Sequence, residues 1–369
     1  IVGGISVRGV VSTCSYEARN YGLHSAMPSV QARRLCPHAI WLNGDFAAYS
    51  YYSREVFNIM RRYSPEVYPL SIDEGRVDLT GSQKLFGPAD GIAHRILEEI
   101  RDELGLPASA GLANSGTAAK MAAELAKPKG LIVILPGQEK SFLAPLPIEN
   151  IPGVGKKSLP RFHHHGIRTI GDLAGYNAQQ LHSLFGSWAP SLLKIATGQT
   201  RKVSPHQPQS PSRSNECTFA TNLTDPERIR LEVRKLVEKL GYRLRKSSLK
   251  TQTVSVKIRD GYFRTITRAR KLEAATNRDH QIFKAAESLV MANLPKGSGV
   301  RLIGVAAQNL VSGNRQASLF EVKNGKDERF YNAVDSIKSK YGKTAATFGA
   351  PVSWSRRRTS ESSPMKAVS

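Results

Sequence analysis

Apolar residues recur along the first part of the chain at the spacings of helices and short strands. One set stands at intervals of four residues: Ile92, Ile96, Ile100 and Leu104. This spacing predicts an amphipathic helix over 90–104, and related patterns predict helices over 49–63 and 116–126. Residues 66–80 predict two short strands that meet near Asp73. Helices mixed with short strands in this way indicate an α+β layer in which helices cover a sheet.

The pattern after residue 216 predicts a second α+β unit. Its order is strand, helix, strand, strand, helix and strand, over 217–223, 226–245, 251–259, 263–270, 278–293 and 299–309. Ahead of this unit, residues 140–200 predict short helices. Residues 201–216 are rich in proline, serine and charge, which predicts a linker. A further helix is predicted at 328–340, within a mostly polar end.

Alternation within the two middle strands of that unit predicts a basic sheet face. Val254, Val256 and Ile258 alternate inward, which turns Lys257 and Arg259 outward. Three arginines of the next strand share one face with one another: Arg264, Arg268 and Arg270. Two neighbouring strands would then offer a basic face suited to a phosphate backbone, and a simply solvated face is the alternative.

The charge balance indicates a polyanionic partner. The chain of 369 residues has 53 Lys and Arg against 30 Asp and Glu, a net charge of +23 and a pI of about 10.1. Nucleic acid is the first candidate for such a protein. The 3 cysteines form neither a CxxC pair nor a Cys/His cluster, which favours reduced thiols in a cytosolic protein. No apolar run approaches the roughly 18 residues needed to span a membrane.

Two adjacent carboxylates, Asp73 and Glu74, interrupt the apolar stretch PLSIDEGRVDLTG at 69–81. Adjacent residues on a regular strand point to opposite faces, so the pair can converge only at a strand end, a turn or a bulge. Gly75 fits a hairpin at this point. A divalent ion would account for the pair, because Mg²⁺ is held by one or two carboxylates together with substrate phosphates. An exposed hairpin turn with two solvated acids is the alternative.

A second motif is STCSYEAR, residues 12–19. Thr13, Tyr16 and Arg19 recur at a spacing of three, which predicts that they share one face of a helical turn. A hydroxyl, a phenol and a guanidinium together form a phosphate clamp, and a capped helix with a solvated arginine is the alternative. A third motif, KMAAELAKPKG, places Lys127 at a predicted helix end before a proline, where it would reach an anion.

In their order and spacing, VVSTCSYEARNYG, SIDEG and AKMAAELAKPKG resemble the Y-family translesion DNA polymerases of the bacterial DNA polymerase IV type. The resemblance runs from residue 1 to about 345. It implies an α+β right-hand polymerase with small fingers, a ferredoxin-like palm, a helix-hairpin-helix thumb and an α+β little finger. The implied domains are fingers 1–45, palm 46–135, thumb 136–200, linker 201–216, little finger 217–312 and a tail 313–369.

The same resemblance implies roles for single residues. Asp73 and Glu74 would be the catalytic ligands of two Mg²⁺ ions. The incoming deoxynucleoside triphosphate would be held by Thr13, Tyr16, Arg19 and Lys127. Two metals of this kind activate a primer 3′-hydroxyl and stabilise the leaving pyrophosphate. The expected partners are primer–template DNA and the nucleotide, and the protein is expected to be a cytoplasmic monomer.

Two departures from the family pattern bear on activity. The family's first metal-binding aspartate lies on a strand before the fingers, and this chain begins at Ile1, already in the strand that enters them. We therefore expect this chain to lack that ligand and an interior palm strand, and to bind DNA better than it polymerises. Arg76 stands where an aromatic residue is common in the family, and two positions are open for its guanidinium: solvent, or the neighbourhood of the metals.

The sequence IPGVGKK at 151–157 is a helix-hairpin-helix signature. Gly153 and Gly155 would let the backbone approach a phosphate, and Lys156 and Lys157 add positive charge. Such a loop binds duplex backbone without selecting a base sequence. An ordinary glycine-rich helix connection is the alternative.

The sequence RQASLFEV places Gln316, Leu319 and Phe320 in a polar segment. An exposed Leu-Phe pair beyond a folded unit is typical of a segment that enters a partner's pocket. The Q-x-S-L-F pattern resembles the peptide that bacterial replication proteins insert into the sliding clamp. The alternative is a strand or helix that packs on the domain.

The resemblance to the Y family therefore implies template-directed DNA synthesis past damaged bases by nucleotidyl transfer to a primer 3′-hydroxyl. One alternative is a polymerase-like, DNA-binding accessory factor without catalysis, which Arg76 and the missing start favour and Asp73 and Glu74 oppose. A second is a helix-hairpin-helix nuclease or repair factor, which a nicking assay would separate from a polymerase.

Overall fold

The computed structural model describes residues 1–199, 212–312, 325–342 and 345–347. The chain forms two compact units. One combines residues 3–40 with the chain from 207 onward, and the other consists essentially of residues 41–206. Within the described residues, none of the helices has the length and apolar character needed to cross a membrane.

Short elements make up the first 40 residues. Strands β1 (Val2–Gly3) and β2 (Val11–Thr13) form a two-stranded sheet and are followed by helices α1 (Tyr16–Arg19) and α2 (Ser29–Leu35). The Ser15 side chain caps α1 by accepting a hydrogen bond from the Ala18 N–H. Because Ser15 is the cap, α1 begins only at Tyr16, after the end of β2.

The second unit begins with mixed helices and short strands. The elements are α3 (Phe46–Tyr63), β3 (Val67–Pro69), β4 (Gly75–Val77), α4 (Gln83–Phe86), α5 (Ala89–Leu104), β5 (Ala110–Leu112), α6 (Gly116–Leu125) and β6 (Leu131–Val133). The predicted helix over 90–104 is confirmed as α5, whose Ile92, Ile96 and Ile100 are buried beside Ile59 and Tyr63 of α3. The predicted pair of strands around Asp73 is confirmed as the antiparallel hairpin of β3 and β4.

These four strands form two separate pairs rather than one sheet. β3 pairs antiparallel with β4, and β5 pairs parallel with β6. Helix α6 connects β5 to β6, as a parallel pair requires a crossover. The two pairs fix two features that matter below: the tip of the β3–β4 hairpin and the first turns of α6.

Short helices follow in the same unit: α7 (Glu139–Leu143), α8 (Leu159–His164), α9 (Ala178–Phe185) and α10 (Ala189–Ala196). They surround the fully buried Phe162, whose ring stacks on Phe185 with centroids 4.3 Å apart. Ile148 and Ile151 are buried in the same core. This packing fixes the start of the loop that follows Ile151.

The rest of the first unit is a four-stranded antiparallel sheet with helices on one face. Its elements are β7 (Ser212–Leu223), α11 (Pro226–Lys246), β8 (Leu249–Asp260), β9 (Thr265–Thr276), α12 (Asp279–Met291) and β10 (Val300–Ser312). The strand order is β7-β10-β8-β9. The predicted order of strands and helices is confirmed. Asp225 accepts a hydrogen bond from the Glu227 N–H at the start of α11, where Pro226 is the first residue.

The predicted linker is wrong at its end. Residues 212–216 belong to β7, with Ser212 opposite Gln308 of β10. The sequence SRSNE carries no large apolar residue, so alternation was not visible. Burial nevertheless alternates along it, because the Arg213 guanidinium and the Asn215 amide donate to the carbonyls of Arg243 and Leu236 in α11. The strand β9 likewise continues six residues beyond its predicted end at 270, to Thr276.

Part of the predicted tail 313–369 is folded, as the predicted helix within it implied. Helix α13 (Gly325–Tyr341) packs on the four-stranded unit. Its Tyr331 and Val334 are buried, and its Asp335 accepts hydrogen bonds from Arg245 of α11. The predicted helix over 328–340 is confirmed and lies within α13.

Candidate active site and nucleic-acid interface

The tip of the β3–β4 hairpin carries Asp73 and Glu74 in a tight turn, and both are exposed. The Leu70 N–H donates to the Glu74 carbonyl over 2.8 Å, which closes the turn. Ser71 organises it further: its hydroxyl accepts from the N–H of Glu74 over 3.0 Å and lies 2.5 Å from Oδ1 of Asp73. Ser71 was not singled out from the sequence, although a serine two residues before an aspartate is a common turn signal.

Helix packing sets the position of this tip. A Cβ on Gly75 would meet the ring of Phe57 of α3 at 2.4 Å, so a larger residue there would push the hairpin away from the helix. Gly75 therefore serves close approach as well as the turn. Asp73 and Glu74 come directly before Gly75, the residue at which the hairpin packs on α3.

Helix α6 contacts the hairpin at two places. The Nζ of Lys120 lies 2.5 Å from Oε1 of Glu74. The guanidinium of Arg76 lies against Gly116, where an added Cβ would come within 2.9 Å of the Arg76 Cζ. Arg76 therefore contacts the first residue of α6 rather than extending into solvent. Sequence reasoning missed Lys120, although Gly116 and Lys120 stand four residues apart and hence on one helix face.

Only two of the three residues of the predicted phosphate clamp lie on a helix. Tyr16 and Arg19 lie on α1, with the Arg19 Cζ 5.7 Å from the centre of the Tyr16 ring. Thr13 is the last residue of β2, so the prediction that all three share a helical turn is wrong for Thr13. The spacing of three was misleading because Ser15, the N-cap, separates strand from helix. The side chains of all three are exposed.

Lys127 follows the end of α6, as predicted. Its Nζ lies 2.7 Å from Oε2 of Glu124, one turn earlier in the helix. Both side chains are close to half exposed, so this ion pair contributes little to stability.

The loop 151–157 has the form that a helix-hairpin-helix loop requires. Ile151 and Val154 are buried, and between and after them Gly153, Gly155, Lys156 and Lys157 are exposed. Gly153 has a φ of 101°, a conformation that favours glycine. The Gly155 N–H donates to the Ser158 hydroxyl over 3.0 Å at the start of α8. The two lysines therefore project from a fixed loop.

The predicted basic sheet face is wrong in one respect, which the register of β8 and β9 decides. Arg268 lies opposite Val256, and Arg270 opposite Val254. Directly opposed residues share a face, so these arginines lie on the side of the sheet that the helices cover. Arg270 accordingly donates to the Ser288 hydroxyl of α12 over 3.3 Å. Lys257 and Arg259 point to the opposite face.

Each of these basic residues has a local partner. Lys257 Nζ lies 2.7 Å from Oε2 of Glu216, across Gly304 of the central strand. Arg259 donates to the Thr265 hydroxyl over 2.8 Å. Arg264 lies 3.8 Å from Asp260 at the turn before β9. All three are at the sheet surface, where such pairs exchange readily with a phosphate.

A basic cluster that the sequence analysis did not identify lies beside Arg259. Arg301 of β10 stacks over the Phe263 ring at 4.3 Å. Partial burial, and then the nearby charges of Arg8 and Arg259, lower the pKa of Arg301 from its usual value. Arg8 donates to the Phe219 carbonyl over 2.7 Å, so a residue from the first 40 joins the sheet of its own unit. No local spacing in the sequence predicts this cluster, because its members are distant along the chain.

The predicted clamp-binding residues Gln316, Leu319 and Phe320 lie outside the described residues. The described chain ends at Ser312 of β10 and resumes at Gly325 of α13.

Three family models match the chain in chain order. The impB/mucB/samB family model matches residues 1–124, the model of the helix-hairpin-helix motif of that family matches 136–167, and the model of its C-terminal domain matches 210–319. A DNA polymerase IV of Dehalococcoides mccartyi strain BAV1 is 37% identical over 351 residues, which is 95% of this chain and 90% of that protein. The chain belongs to the Y family of DNA polymerases.

Other members of the Y family are similarly related. A DNA polymerase IV of Methanoculleus marisnigri is 38% identical over 315 residues, or 85% of this chain and 87% of that protein. Among solved structures, a Y-family chimera of Dbh and Dpo4 superposes with a TM-score of 0.74 at 25% identity, covering 84% of this chain and 91% of that one. DinB from Sulfolobus solfataricus gives a TM-score of 0.53 at 27% identity, covering 85% and 92%. The predicted Y-family α+β fold, with its helix-hairpin-helix region and C-terminal domain, is confirmed.

Y-family polymerases use divalent metal ions. Within the described residues, no group of three or more His, Cys, Asp or Glu side chains is gathered at one place. The hairpin tip nevertheless fits Mg²⁺, because that ion needs only one or two carboxylates when substrate phosphates and water complete its ligands. Asp73 and Glu74 supply such hard oxygen donors in an exposed position.

Proposed function

We propose that this chain is a DNA-directed DNA polymerase that copies past damaged bases. It transfers a nucleotidyl group from a deoxynucleoside triphosphate to a primer 3′-hydroxyl. The observation that carries the proposal is the pair Asp73–Glu74, exposed at a fixed hairpin tip in a chain that is 37% identical over 95% of its length to a DNA polymerase IV. An acidic tip of this kind suits charge neutralisation of a triphosphate through metal ions.

Within this proposal Asp73 and Glu74 hold two Mg²⁺ ions, which supply Lewis-acid stabilisation of the attacking and leaving oxygens when bound. Ser71 keeps the Asp73 carboxylate in place through the turn. Thr13, Tyr16, Arg19 and Lys127 hold the triphosphate. The chain's own contribution is positioning and charge, and no protein nucleophile is required.

Duplex DNA is held by two regions in this proposal. The loop with Gly153, Gly155, Lys156 and Lys157 contacts the phosphate backbone of the duplex, supported by its exposure and its fixed geometry. The four-stranded unit contacts the backbone through basic residues along β8 and β9: Lys257, Arg259, Arg264, Arg268 and Arg270. Because the register puts these on both faces, contact through the β9 edge fits better than contact through one flat face. Two solved relatives with the same fold are an insertion ternary complex and a post-insertion binary complex of Dbh DNA polymerase.

The domain assignment follows the same proposal. Residues 1–45 act as fingers, 46–135 as palm and 136–200 as thumb, and the little finger extends from 212 to 312 with α13 packed on it. Gln316, Leu319 and Phe320 bind a bacterial sliding clamp. The protein acts as a monomer in the cytoplasm.

A primer-extension assay with Mg²⁺ tests the function. We expect Asp73→Asn to reduce the rate of incorporation by about 10³-fold while DNA affinity stays within about twofold, because the carboxylate acts on the nucleotide and not on the duplex. Asp102→Asn, which removes an equal charge from the exposed end of α5, is the matched control.

The outcomes separate the alternatives. Extension by the chain that Asp73→Asn abolishes supports the polymerase. Tight DNA binding without extension in either protein supports the accessory factor, and DNA nicking supports a nuclease.

A further inference from the structure

The hairpin tip and α6 meet at two points. Glu74 is the last residue of the turn, and Arg76 lies two residues further along the chain, in β4. Gly116 and Lys120 are four residues apart, about 6 Å along a helix. Glu74 contacts Lys120 and Arg76 contacts Gly116. The strand and the helix are therefore held in register, with an ammonium at the acidic tip.

Stability alone does not account for the ion pair. The Lys120 and Glu74 side chains are 39% and 45% exposed. Ion pairs this exposed contribute little to stability, because water screens the charges and the side chains lose freedom. What the contact does supply is direction, since it turns Glu74 toward α6.

We propose that Lys120 is a positioning residue of the metal site: its ammonium holds the Glu74 carboxylate until a divalent cation displaces it. This inference rests on the proposed function, because it assumes that Glu74 is a metal ligand. The Lys120 ammonium pairs directly with one of the two acids at the hairpin tip.

Two consequences follow from electrostatics. The ammonium and a divalent cation compete for one carboxylate, so the lysine weakens metal binding to the nucleotide-free protein. For charges of +1 and +2 about 6 Å apart in water, removal of the lysine corresponds to about a tenfold gain in affinity. The gain falls as salt is added, because the site is exposed and ions screen it.

The test measures Mn²⁺ binding to the full chain without nucleotide or DNA, by the electron paramagnetic resonance signal of free Mn²⁺. We expect Lys120→Met to tighten binding about tenfold at low salt and Lys120→Arg, which keeps the charge, to stay within about twofold of the original protein. Lys140→Met removes one positive charge from an exposed position of α7 and is expected to leave the affinity unchanged.

Three outcomes of this measurement would overturn the proposal or the assignment on which it rests. Equal affinity of the original protein and Lys120→Met, or a gain equal to that of Lys140→Met, overturns the proposal. A loss of thermal stability in Lys120→Met without a change in Mn²⁺ affinity assigns the lysine a structural role and also overturns it. Glu74→Gln separates failure of the Lys120 proposal from failure of the metal assignment. If Glu74→Gln does not weaken Mn²⁺ binding, the metal assignment itself fails, and with it the proposed function of the tip.

Discussion

Arg245 of α11 holds Asp335 of α13 through two parallel hydrogen bonds, Nε to Oδ2 over 2.7 Å and Nη2 to Oδ1 over 3.0 Å. The same guanidinium donates to Asp279 of α12 over 2.6 Å and stacks over the Tyr331 ring. Its side chain is only 10% exposed. One arginine thus connects three helices in an environment where an unpaired charge is costly.

Arg245→Met is therefore expected to destabilise the protein strongly. Its removal leaves the buried Asp279 and the partly buried Asp335 without the guanidinium that pairs with both, and the loss of one partner of a buried pair costs about 3–5 kcal/mol. Denaturant unfolding followed by circular dichroism measures the change. Arg228→Met, at an exposed position of the same helix, should change the unfolding free energy by less than about 0.5 kcal/mol. Equal effects of the two substitutions would contradict the buried network.

Because of Asp279, the stability of the protein is expected to fall as the pH rises from 4 to 7. Burial is the main cause that raises its pKa from 3.8 to about 6, and the hydrogen bond and charge of Arg245 oppose the rise. Because the folded carboxyl binds its proton more tightly than the unfolded one, its contribution is complete below about pH 4 and is lost as the pH rises through 6. The charged groups that influence it are Arg245, Lys338 and Glu238.

The measurement is the unfolding free energy of the protein and of Asp279→Asn between pH 4 and 7. We expect their difference to change by up to about 3 kcal/mol across that range, since one pKa unit corresponds to about 1.4 kcal/mol. Parallel curves would show that Asp279 titrates alike in both states.

Arg19→Ala is expected to impair nucleotide use without weakening DNA binding. A charge-assisted hydrogen bond to phosphate contributes about 1.5–3 kcal/mol, which corresponds to a rise of about 10- to 100-fold in the KM for the nucleotide. Single-nucleotide incorporation kinetics and DNA binding by fluorescence anisotropy test the two halves. Arg34→Ala, exposed on α2, is the control. An equal loss of DNA affinity in Arg19→Ala would argue against the phosphate clamp.

Substitution of Arg268 and Arg270 together by Ala should weaken DNA binding at every sequence alike. Each lost phosphate contact lowers the slope of log affinity against log salt by about 1. Titrations at several salt concentrations measure this slope. A single change at exposed Lys284 of α12 should leave the slope unaltered. If the double variant keeps the original slope, the β9 edge does not contact DNA.

Replacement of Leu319 and Phe320 by Ala should abolish stimulation by a bacterial sliding clamp. Synthesis without the clamp should stay within about twofold, because these residues lie beyond the last strand of the sheet. Primer extension with and without a loaded clamp gives both values. Stimulation that persists in the double variant would exclude this segment as the clamp ligand.

Local pattern predicted the elements well where burial follows a simple period. The isoleucines of α5 repeat every four residues because one face packs on α3, and the helix was predicted within one residue at its start and to its last residue. The acids at the hairpin tip were placed correctly because adjacent carboxylates and a glycine suit a turn.

Contacts between segments that are distant along the chain could not be predicted from local sequence pattern. The alternation of side chains was visible in β8 and in β9 separately. The pairing of Val256 with Arg268, however, depends on the turn between the two strands. This pairing decides which arginines share a face with Lys257. The contact of Lys120 with Glu74 depends on how α6 lies beside the hairpin. Thr13 was misplaced because a three-residue spacing does not reveal the strand end.

The register of β9 also bears on self-association. Among the strands of the described residues, β9 lies at one edge of the sheet, and an edge strand presents backbone groups that can pair with a strand of another chain. Arg268 and Arg270 project on one side of it, and Lys271, opposite Thr253, projects on the other. A second copy that approached this edge would meet like charges on both sides, so the arrangement that separates the basic residues also protects the protein from fibrous aggregation.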